Sequence, residues 1–530
     1  MLGFAATLSG GLAERLALPA FWVHFAVLLT GIGLARALVR FGTGDSAGEN
    51  VPAVMQAVAR LGGKLSLRPI LVKTLAAAVL IGSGGSVGAE GPVAVLGAGT
   101  ASGTGRWLRF RADRLRLLVG CGAAAGIAGA FGAPIAGLFF AVEKILGGMR
   151  TVYVAPLIVA SVSAAAVTRT GLGTHGALIQ LAPGAPAWRT VDLLFSAVVG
   201  MLGGVLAVGY NRAIWIGKDQ LARLPLMARI TLAAVLVAAI YTLLPTSLLG
   251  LGPLDFSNMV GATAGLLLIL AAAKIVATSL TLGAAEVGGL FAPAIITGAL
   301  FGGGISALLK AGGVGTGLDT GGFALLGMAA MVAGSAHAPL TAIFIVLEMS
   351  GDWSLILPLL LAGSVSYVVA RSLYPDSVYS EWLTRRGERL SHGTDESVLA
   401  RLNVADALDP APVTLSADLP LSDALREIAK HPRSDYPVLD AGGRLVAMLT
   451  LEDWQRALLD SATTGPRAVR EVASPVMDTV AASDSLLLAL RRMGTRDAPL
   501  LPVVSADDAT RLLGVIGRKE VFAAYHAATG

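Results

Sequence analysis

Residues Gly82 to Gly97 read GSGGSVGAEGPVAVLG. One acid, Glu90, stands in a run of glycines and other small residues, with largely apolar sequence on both sides. A carboxylate inside a bilayer costs ~2.5–3.5 kcal/mol on insertion scales and is functional by default, so the first question is whether the chain around it crosses a membrane. Of 530 residues, 55% are hydrophobic and 14% charged, where a soluble globular chain carries about 25% charged. Mean hydropathy is +0.72. Apolar stretches near the length that spans a ~30 Å hydrocarbon core recur at Phe21–Val39, Pro69–Ile81, Leu193–Val208, Ile230–Leu244, Gly265–Leu280 and Leu355–Ala370. Several are too short or too broken to span alone. The 66 glycines point to close helix packing and to interrupted helices, which persist in lipid only where the freed backbone is buried in protein or lines a wet cavity.

The single cysteine, Cys121, excludes intrachain disulfides and multi-cysteine metal sites, and nothing points to an oxidising compartment. No charged N-terminal region is followed by a cleavage site, so no removable signal peptide is expected. The formal charge of +5 is modest for this length. Basic clusters at Arg109–Arg116 and Arg385–Arg389 flank apolar spans and mark cytoplasmic loops rather than a nucleic-acid site. After LTRRGERLSHGTDES the chain alternates short β-branched or apolar runs with charged helical patterns, none long enough to cross a membrane. The expected architecture is an all-α polytopic membrane domain over residues 1–390 and a soluble α/β domain after it.

Each part is internally repeated. Gly122–Glu143 (GAAAGIAGAFGAPIAGLFFAVE) matches Gly327–Glu348 (GMAAMVAGSAHAPLTAIFIVLE), pairing Gly129 with Gly334, Pro134 with Pro339 and Phe139 with Phe344. Upstream of each copy lies a glycine-rich break ending in proline, GAEGP (Gly88–Pro92) and GLFAP (Gly289–Pro293). Paired, interrupted apolar segments in two halves are the best sequence pointer to a transporter site near the midplane. In the soluble part, Leu415–Trp454 is echoed by Val480–Phe522, each reading as turn, amphipathic helix, strand, turn, strand and helix. Two such units, 400–462 and 468–530, are expected to share one pseudo-symmetric core.

Read as a helix start, GAEGP leaves the amides of Ala89, Glu90 and Gly91 unpaired, and Pro92 fits the first turn because its missing N–H is one of the orphans anyway. GLFAP offers the same at Leu290 and Phe291. Unpaired amides at the positive end of a helix dipole form an anion site. Gly88 and Gly289, which open the two breaks, therefore join Ala89, Gly91, Leu290 and Phe291 as candidate anion-binding positions. Two converging helix N-termini would hold a small anion without a buried cation, loosely enough to release it. The Glu90 carboxylate is itself an anion and can occupy that place. Burial and the helix N-terminus act on its ionisation in opposite senses, so it reads as a gate that closes when charged and swings out when neutral.

GSGGSVGAEGP, GLFAP and the late SVYSEWL resemble the CLC family of chloride channels and proton-coupled chloride transporters, whose second motif ends in Glu-Gly-Pro and whose third reads Gly-Ile-Phe-Ala-Pro or close to it. The likeness covers roughly residues 51–386, and the soluble pair is similar to the tandem CBS domains that follow some members. The resemblance implies that Glu90 is the gating glutamate, that the Leu290 and Phe291 amides coordinate the central anion, and that Tyr379 adds a hydroxyl from the cytoplasmic side. It also implies an inverted repeat of two antiparallel halves, a homodimer with one pathway per subunit, and a multi-pass location, here the inner membrane of a bacterium with the CBS pair in the cytoplasm. Chloride or a similar small anion and the lipid bilayer are the implied partners, with no nucleic acid and no required cofactor. Because the chain begins close to the family's second or third helix, N-terminal sequence is expected to be missing.

The chain departs from the family's pattern at two places. Its first motif falls best on GENVP (Gly48–Pro52), which sets Glu49 where a neutral polar group would face the anion; Thr43 or Ser46 takes that place in another register. The proton-coupled branch often carries two adjacent acids after the position of Phe139-Phe140, whereas here the pair is Glu143-Lys144. Lys144 tilts the reading toward channel-like conduction. Proton-coupled antiport is the alternative, with Glu143 or Lys144 as the proton-transfer candidates. By resemblance to nucleotide-binding CBS units, Thr450 and Asp453 form a Thr-x-x-Asp that would contact an adenosine nucleotide; the second unit has Gly517 and Glu520 there.

Other readings stand beside these. Glu143 and Glu348, at matching ends of apolar helices, suit hydrogen bonding at helix termini, Tyr379 an interfacial tyrosine, and His337 a packing residue. Gly84–Gly88 satisfies G-x-S-x-G around Ser86, a weak hydrolase signal in so glycine-rich a chain, and only His24 and His337 lie in apolar segments as partners. A CBS-bearing magnesium channel would need several acids facing one pore, and the membrane part is poor in them. Transport is favoured over enzymatic activity.

Overall fold

The computed structural model describes residues 20–43, 50–172, 188–245, 248–249, 259–387, 398–430, 435–460, 467–476, 478–496 and 498–529. The chain divides into two compact units, residues 1–390 and 391–530. In the first, the described residues form helices α1 (Ala20–Thr43), α2 (Asn50–Arg60), α3 (Leu67–Gly82), α4 (Glu90–Trp107), α5 (Ala112–Phe131), α6 (Pro134–Phe140), α7 (Thr151–Leu172) and α8 (Thr190–Ala222). They continue with α9 (Leu226–Leu243), α10 (Ala264–Ala285), α11 (Phe291–Ala311), α12 (Thr320–Ala336), α13 (Pro339–Ser350), α14 (Ile356–Leu373) and α15 (Ser380–Arg385). Eight of these, α1, α5, α7 to α11 and α14, are long and apolar enough to cross a membrane. The rest are shorter or, like the 18-residue α4, less apolar, and α12 is buried along its whole length.

The starts of these helices follow from sequence. Pro134 and Pro339 stand in the first turns of α6 and α13, and Pro92 and Pro293 in those of α4 and α11, where no intrahelical N–H is needed. Repeat-related helices also pack alike. A Cβ on Gly97 would strike the Gly122 carbonyl where α4 crosses α5, and a Cβ on Gly298 would strike that of Gly327 where α11 crosses α12.

The two halves meet through reciprocal contacts. The Glu348 carboxylate accepts the amides of Ile135 (3.0 Å) and Ala136 (2.9 Å) at the start of α6. The Glu143 carboxylate accepts those of Leu340 (3.0 Å) and Thr341 (2.9 Å) at the start of α13, and the Thr341 hydroxyl at 2.6 Å. Phe139 stacks on its repeat partner Phe344, ring centroids 5.0 Å apart. Residue i of one copy touching j of the other, and j touching i, is the pattern of a local two-fold axis. Each acid thus caps the opposite half, charge against the positive end of a helix dipole.

The second unit carries two strand sets of one design. In the first, β1 (Leu415–Ser416) runs parallel to β2 (Asp435–Leu439), which pairs antiparallel with β3 (Leu445–Thr450), and β4 (Ser474–Pro475) adds to β3. In the second, β5 (Val480–Ala481) runs parallel to β6 (Leu500–Val504), and β6 pairs antiparallel with β7 (Leu512–Gly517). The register breaks at matching places, Val438/Leu439 and Val503/Val504. Amphipathic helices α16 (Leu421–Lys430), α17 (Leu451–Asp460), α18 (Leu486–Arg496) and α19 (Arg518–Thr529) complete the two copies. Leu445, Met448, Leu500, Val504 and Val515 pack together, so the copies share a core.

Candidate anion site

The two broken segments are joined by backbone. Gly88 and Gly289 form an antiparallel bridge, each N–H donating to the other's carbonyl at 2.9 and 2.8 Å. The first helical bonds follow at once, from the Val93 N–H to the Ala89 carbonyl and from the Ala294 N–H to the Leu290 carbonyl. The amides before them have no intrahelical partner, and those of Glu90, Phe291 and Ala292 face the space between α4 and α11. Glycine is needed here for two reasons: Gly288 has φ +124°, and a Cβ on either Gly88 or Gly289 would strike the Glu90 carboxyl group.

Glu90 fills that space. It is 2% exposed, and its Oε1 accepts the Phe291 amide at 2.5 Å, while the amides of Glu90 itself and Ala292 also point toward the carboxylate. Its Oε2 is buried without a hydrogen-bond partner. The carboxylate therefore sits on a donor that the sequence assigned to an anion. Leu290 closes α11 differently, since its carbonyl accepts the hydroxyl of fully buried Tyr210 at 2.9 Å. Tyr379, buried at the N-cap of α15, lines one cavity with Gly91, Gly289 and Leu290. Both tyrosines lie within electrostatic reach of Glu90. Sequence reasoning missed Tyr210 because no motif surrounds it inside α8.

Val51 and Pro52, in the first turn of α2, line the same cavity, as do Lys73, Lys218 and Glu286. The first motif's helix start thus faces the site. Glu49 and Ser46 lie outside the described residues, and the Thr43 hydroxyl is bonded to the Val39 carbonyl of its own helix. Lys144 is buried in a π-helical turn, Ala141–Ile145, that continues α6, within electrostatic reach of Glu143 and Arg371. Ser86 is buried with its hydroxyl 2.9 Å from that of Thr278 and its amide on Thr281. His337 ends α12 in the left-handed region and meets the Tyr367 ring edge-on.

In the second unit Asp453 is engaged within the chain. Its carboxylate accepts the Thr450 amide and hydroxyl (3.2 and 2.8 Å) and the Ser474 amide and hydroxyl (3.2 and 2.8 Å). Burial pushes this carboxyl up, but the bonds from Ser474 and Thr450 outweigh it and hold it below its ordinary value. In the second copy the Gly517 amide bonds Glu520 at 3.1 Å.

Two helix N-termini joined over a buried carboxylate in a polytopic helical protein define an anion-binding membrane protein. Residues 31–371 match the family model for voltage gated chloride channels, and residues 404–460 and 469–527 match the CBS domain. A ClcB-like protein of Ralstonia nicotianae is 33% identical over 392 residues, covering 71% of this chain and 89% of that one. An H+/Cl− exchange transporter, ClcA of Vibrio cholerae, is 29% identical over 351 residues, 64% of this chain and 75% of its own. Among solved structures, a eukaryotic CLC transporter aligns over 98% of this chain and 92% of its own, at TM-score 0.63 and 20% identity. A slow cyanobacterial Cl−/H+ antiporter aligns over 73% and 92%, at TM-score 0.61 and 26% identity. The chain belongs to the CLC family of anion transport proteins and carries a C-terminal pair of CBS domains.

Proposed function

We propose that the protein exchanges chloride for protons across the membrane, with Glu90 as the gate on a single anion site. The observation that carries this reading is the Glu90 carboxylate on the Phe291 amide, 2.5 Å away. Chloride and the charged carboxylate compete for the same donors, and a carboxylate leaving them for a low-dielectric interior takes up a proton. The exchanger names carried by two of the similar proteins support the same mode. A second reading, uncoupled conduction, is favoured by Lys144, a cation where an internal proton acceptor would stand, and by Glu143, whose oxygens are engaged by Leu340 and Thr341. Imposing a chloride gradient on proteoliposomes and recording internal pH decides between them. Uphill proton movement in fixed ratio supports exchange, chloride flux without protons supports conduction, and vesicles that pass no chloride overturn both.

Under this reading the protein works as a homodimer with one pathway per subunit, in a bacterial inner membrane, with the CBS pair in the cytoplasm. The CBS pair serves as a regulatory and dimerisation module. An adenosine nucleotide at Thr450 and Asp453 would have to replace the bonds that Asp453 makes to Thr450 and Ser474; ATP titration of the full chain, followed by calorimetry, tests this.

A further inference from the structure

The short helix α15 carries Tyr379 at its N-cap, and its far end is clamped to α8. Arg385 donates to Glu381 from Nε (3.0 Å) and Nη2 (2.9 Å) within α15. Its Nη1 reaches both oxygens of Asp219 on α8, at 3.1 and 2.8 Å. The guanidinium also lies 4.4 Å from the centre of the Trp215 ring. The same α8 carries Tyr210, nine residues before Asp219, a separation of about 14 Å along a helix rising ~1.5 Å per residue. One rigid helix therefore holds Tyr210 at the anion site and Asp219 at the clamp.

Glu381 is the unusual member. It is 4% exposed, and while Oε1 takes the Arg385 bonds, Oε2 is buried without a partner. An ionised carboxylate with one uncompensated buried oxygen has a ready place for a proton. Facing groups act on it from both sides: Tyr374 and Asp376 precede α15, Arg385 ends it, and Asp219 lies beyond Arg385 on α8. Burial pushes the Glu381 carboxyl above its ordinary value near 4.5, and the nearby Tyr374 hydroxyl and the Arg385 guanidinium offset this only in part. Arg385 keeps Asp219 and Trp215 when Glu381 is neutral, so protonation loosens the clamp without dismantling it.

We propose that Glu381 and Arg385 are positioning residues for the anion site: through Asp219 and Trp215 they hold α15 on α8, and protonation of Glu381 slackens the hold of Tyr379 on the anion. This rests on the reading of Glu90 and Tyr379 as anion-site residues given above. The sign follows from the ion pair. Above its raised folded-state pKa Glu381 is charged and the clamp is closed; as pH falls through that value the clamp loosens and chloride is held less well.

The test uses the full chain with Glu90→Gln, which removes the gate's own titration, in proteoliposomes at symmetric pH from about 7.5 to 4.5. Half-saturating chloride is expected to rise about three- to tenfold on acidification, the scale of one partly buried charge pair. Adding Glu381→Gln should fix it at the higher value throughout, Arg385→Met should do the same, and Arg385→Lys should restore part of the response. If the Glu381→Gln protein keeps the parent's low half-saturation and its pH response, the inference is wrong. Chloride binding to the same detergent-solubilised variants, read by calorimetry, is a second measurement. Should Glu90→Gln vesicles pass no chloride, the proposed function falls, while the binding series still decides the clamp.

Discussion

The reciprocal caps allow a quantitative test of how the two halves are held together. Glu348→Gln keeps the shape of the side chain and removes its charge. The carboxylate now accepts two amides at 3.0 and 2.9 Å; a glutamine carbonyl can accept one, and its amide group then faces the other N–H. Hydrogen bonds to charged groups are worth ~1.5–3 kcal/mol each, and a charge at a helix N-terminus adds ~0.3–1 kcal/mol. Losing one bond and the charge therefore costs about 2–4 kcal/mol, which in a unit this large lowers the melting temperature by about 2–5 °C. Glu143→Gln should cost at least as much, since Glu143 also binds the Thr341 hydroxyl at 2.6 Å. Purified protein in detergent, melted with tryptophan fluorescence as the readout, measures both. If either variant melts with the parent, its carboxylate is not a cap. The pair also separates roles: a proton-carrying Glu143 would change coupling ratio in Glu143→Gln and leave it unchanged in Glu348→Gln.

Four further outcomes are expected. Glu90→Gln should pass chloride with most of its acid activation gone, as ion flux against pH will show; unaltered pH dependence would remove Glu90 from the gate. Gly88→Ala places a Cβ against the Glu90 carboxyl group, so it should push the gate aside and raise chloride flux at neutral pH toward the Glu90→Gln level. Lys144→Glu should increase proton movement per chloride if the turn after α6 borders a proton path, which the chloride-gradient assay reads directly. In the soluble pair, burial, with Asp453 adding to it and the Leu451 amide opposing, raises Asp435 to about 6. Stability from its neutral form is present below the unfolded value near 3.8 and is lost as pH rises through about 6. After discounting for solvent screening, Asp435→Asn should stabilise residues 391–530 at neutral pH by about 1–2 kcal/mol, measured by urea unfolding of that segment, in which Trp454 is the one tryptophan.

Much of the site was legible because it is built from backbone and breaks. A glycine–proline interruption announces a helix start wherever it falls, so GAEGP and GLFAP could be read without knowing their partners. The Gly88–Gly289 bridge that joins them could not, since strand-like pairing of single residues leaves no periodicity. The repeat made Glu143 and Glu348 equivalent in sequence, but only the folded chain reveals that each caps the other half. Tyr210 lies within α8 and does its work through one hydroxyl, a signal that composition does not carry. The apolar runs located α1, α3, α9, α10 and α14 closely. The run at Leu193–Val208 gave only part of α8, because Asn211, Arg212, Lys218 and Asp219 extend that helix beyond the apolar stretch.

The Gly88–Gly289 bridge also bears on why the site uses amides rather than a lysine. Its two strands come from different halves, so neither half alone builds the site, and the donors cannot move apart without breaking backbone bonds of 2.9 and 2.8 Å. Rigid amides must be satisfied by something at all times, because an unpaired buried N–H costs about as much as a lost hydrogen bond. When Glu90 occupies them it does so as an anion, and when chloride replaces it one negative charge is exchanged for another. The total charge in the cavity then changes only through the carboxylate that has left. With Oε2 already lacking a hydrogen-bond partner among the described residues, a charged carboxylate that leaves the amides gives up its donors, and a protonated one gives up less. Under the proposed exchange, chloride entry and proton uptake at Glu90 would be two halves of one substitution, and a fixed lysine at the same place, by holding both anions tightly, would slow every turn of it.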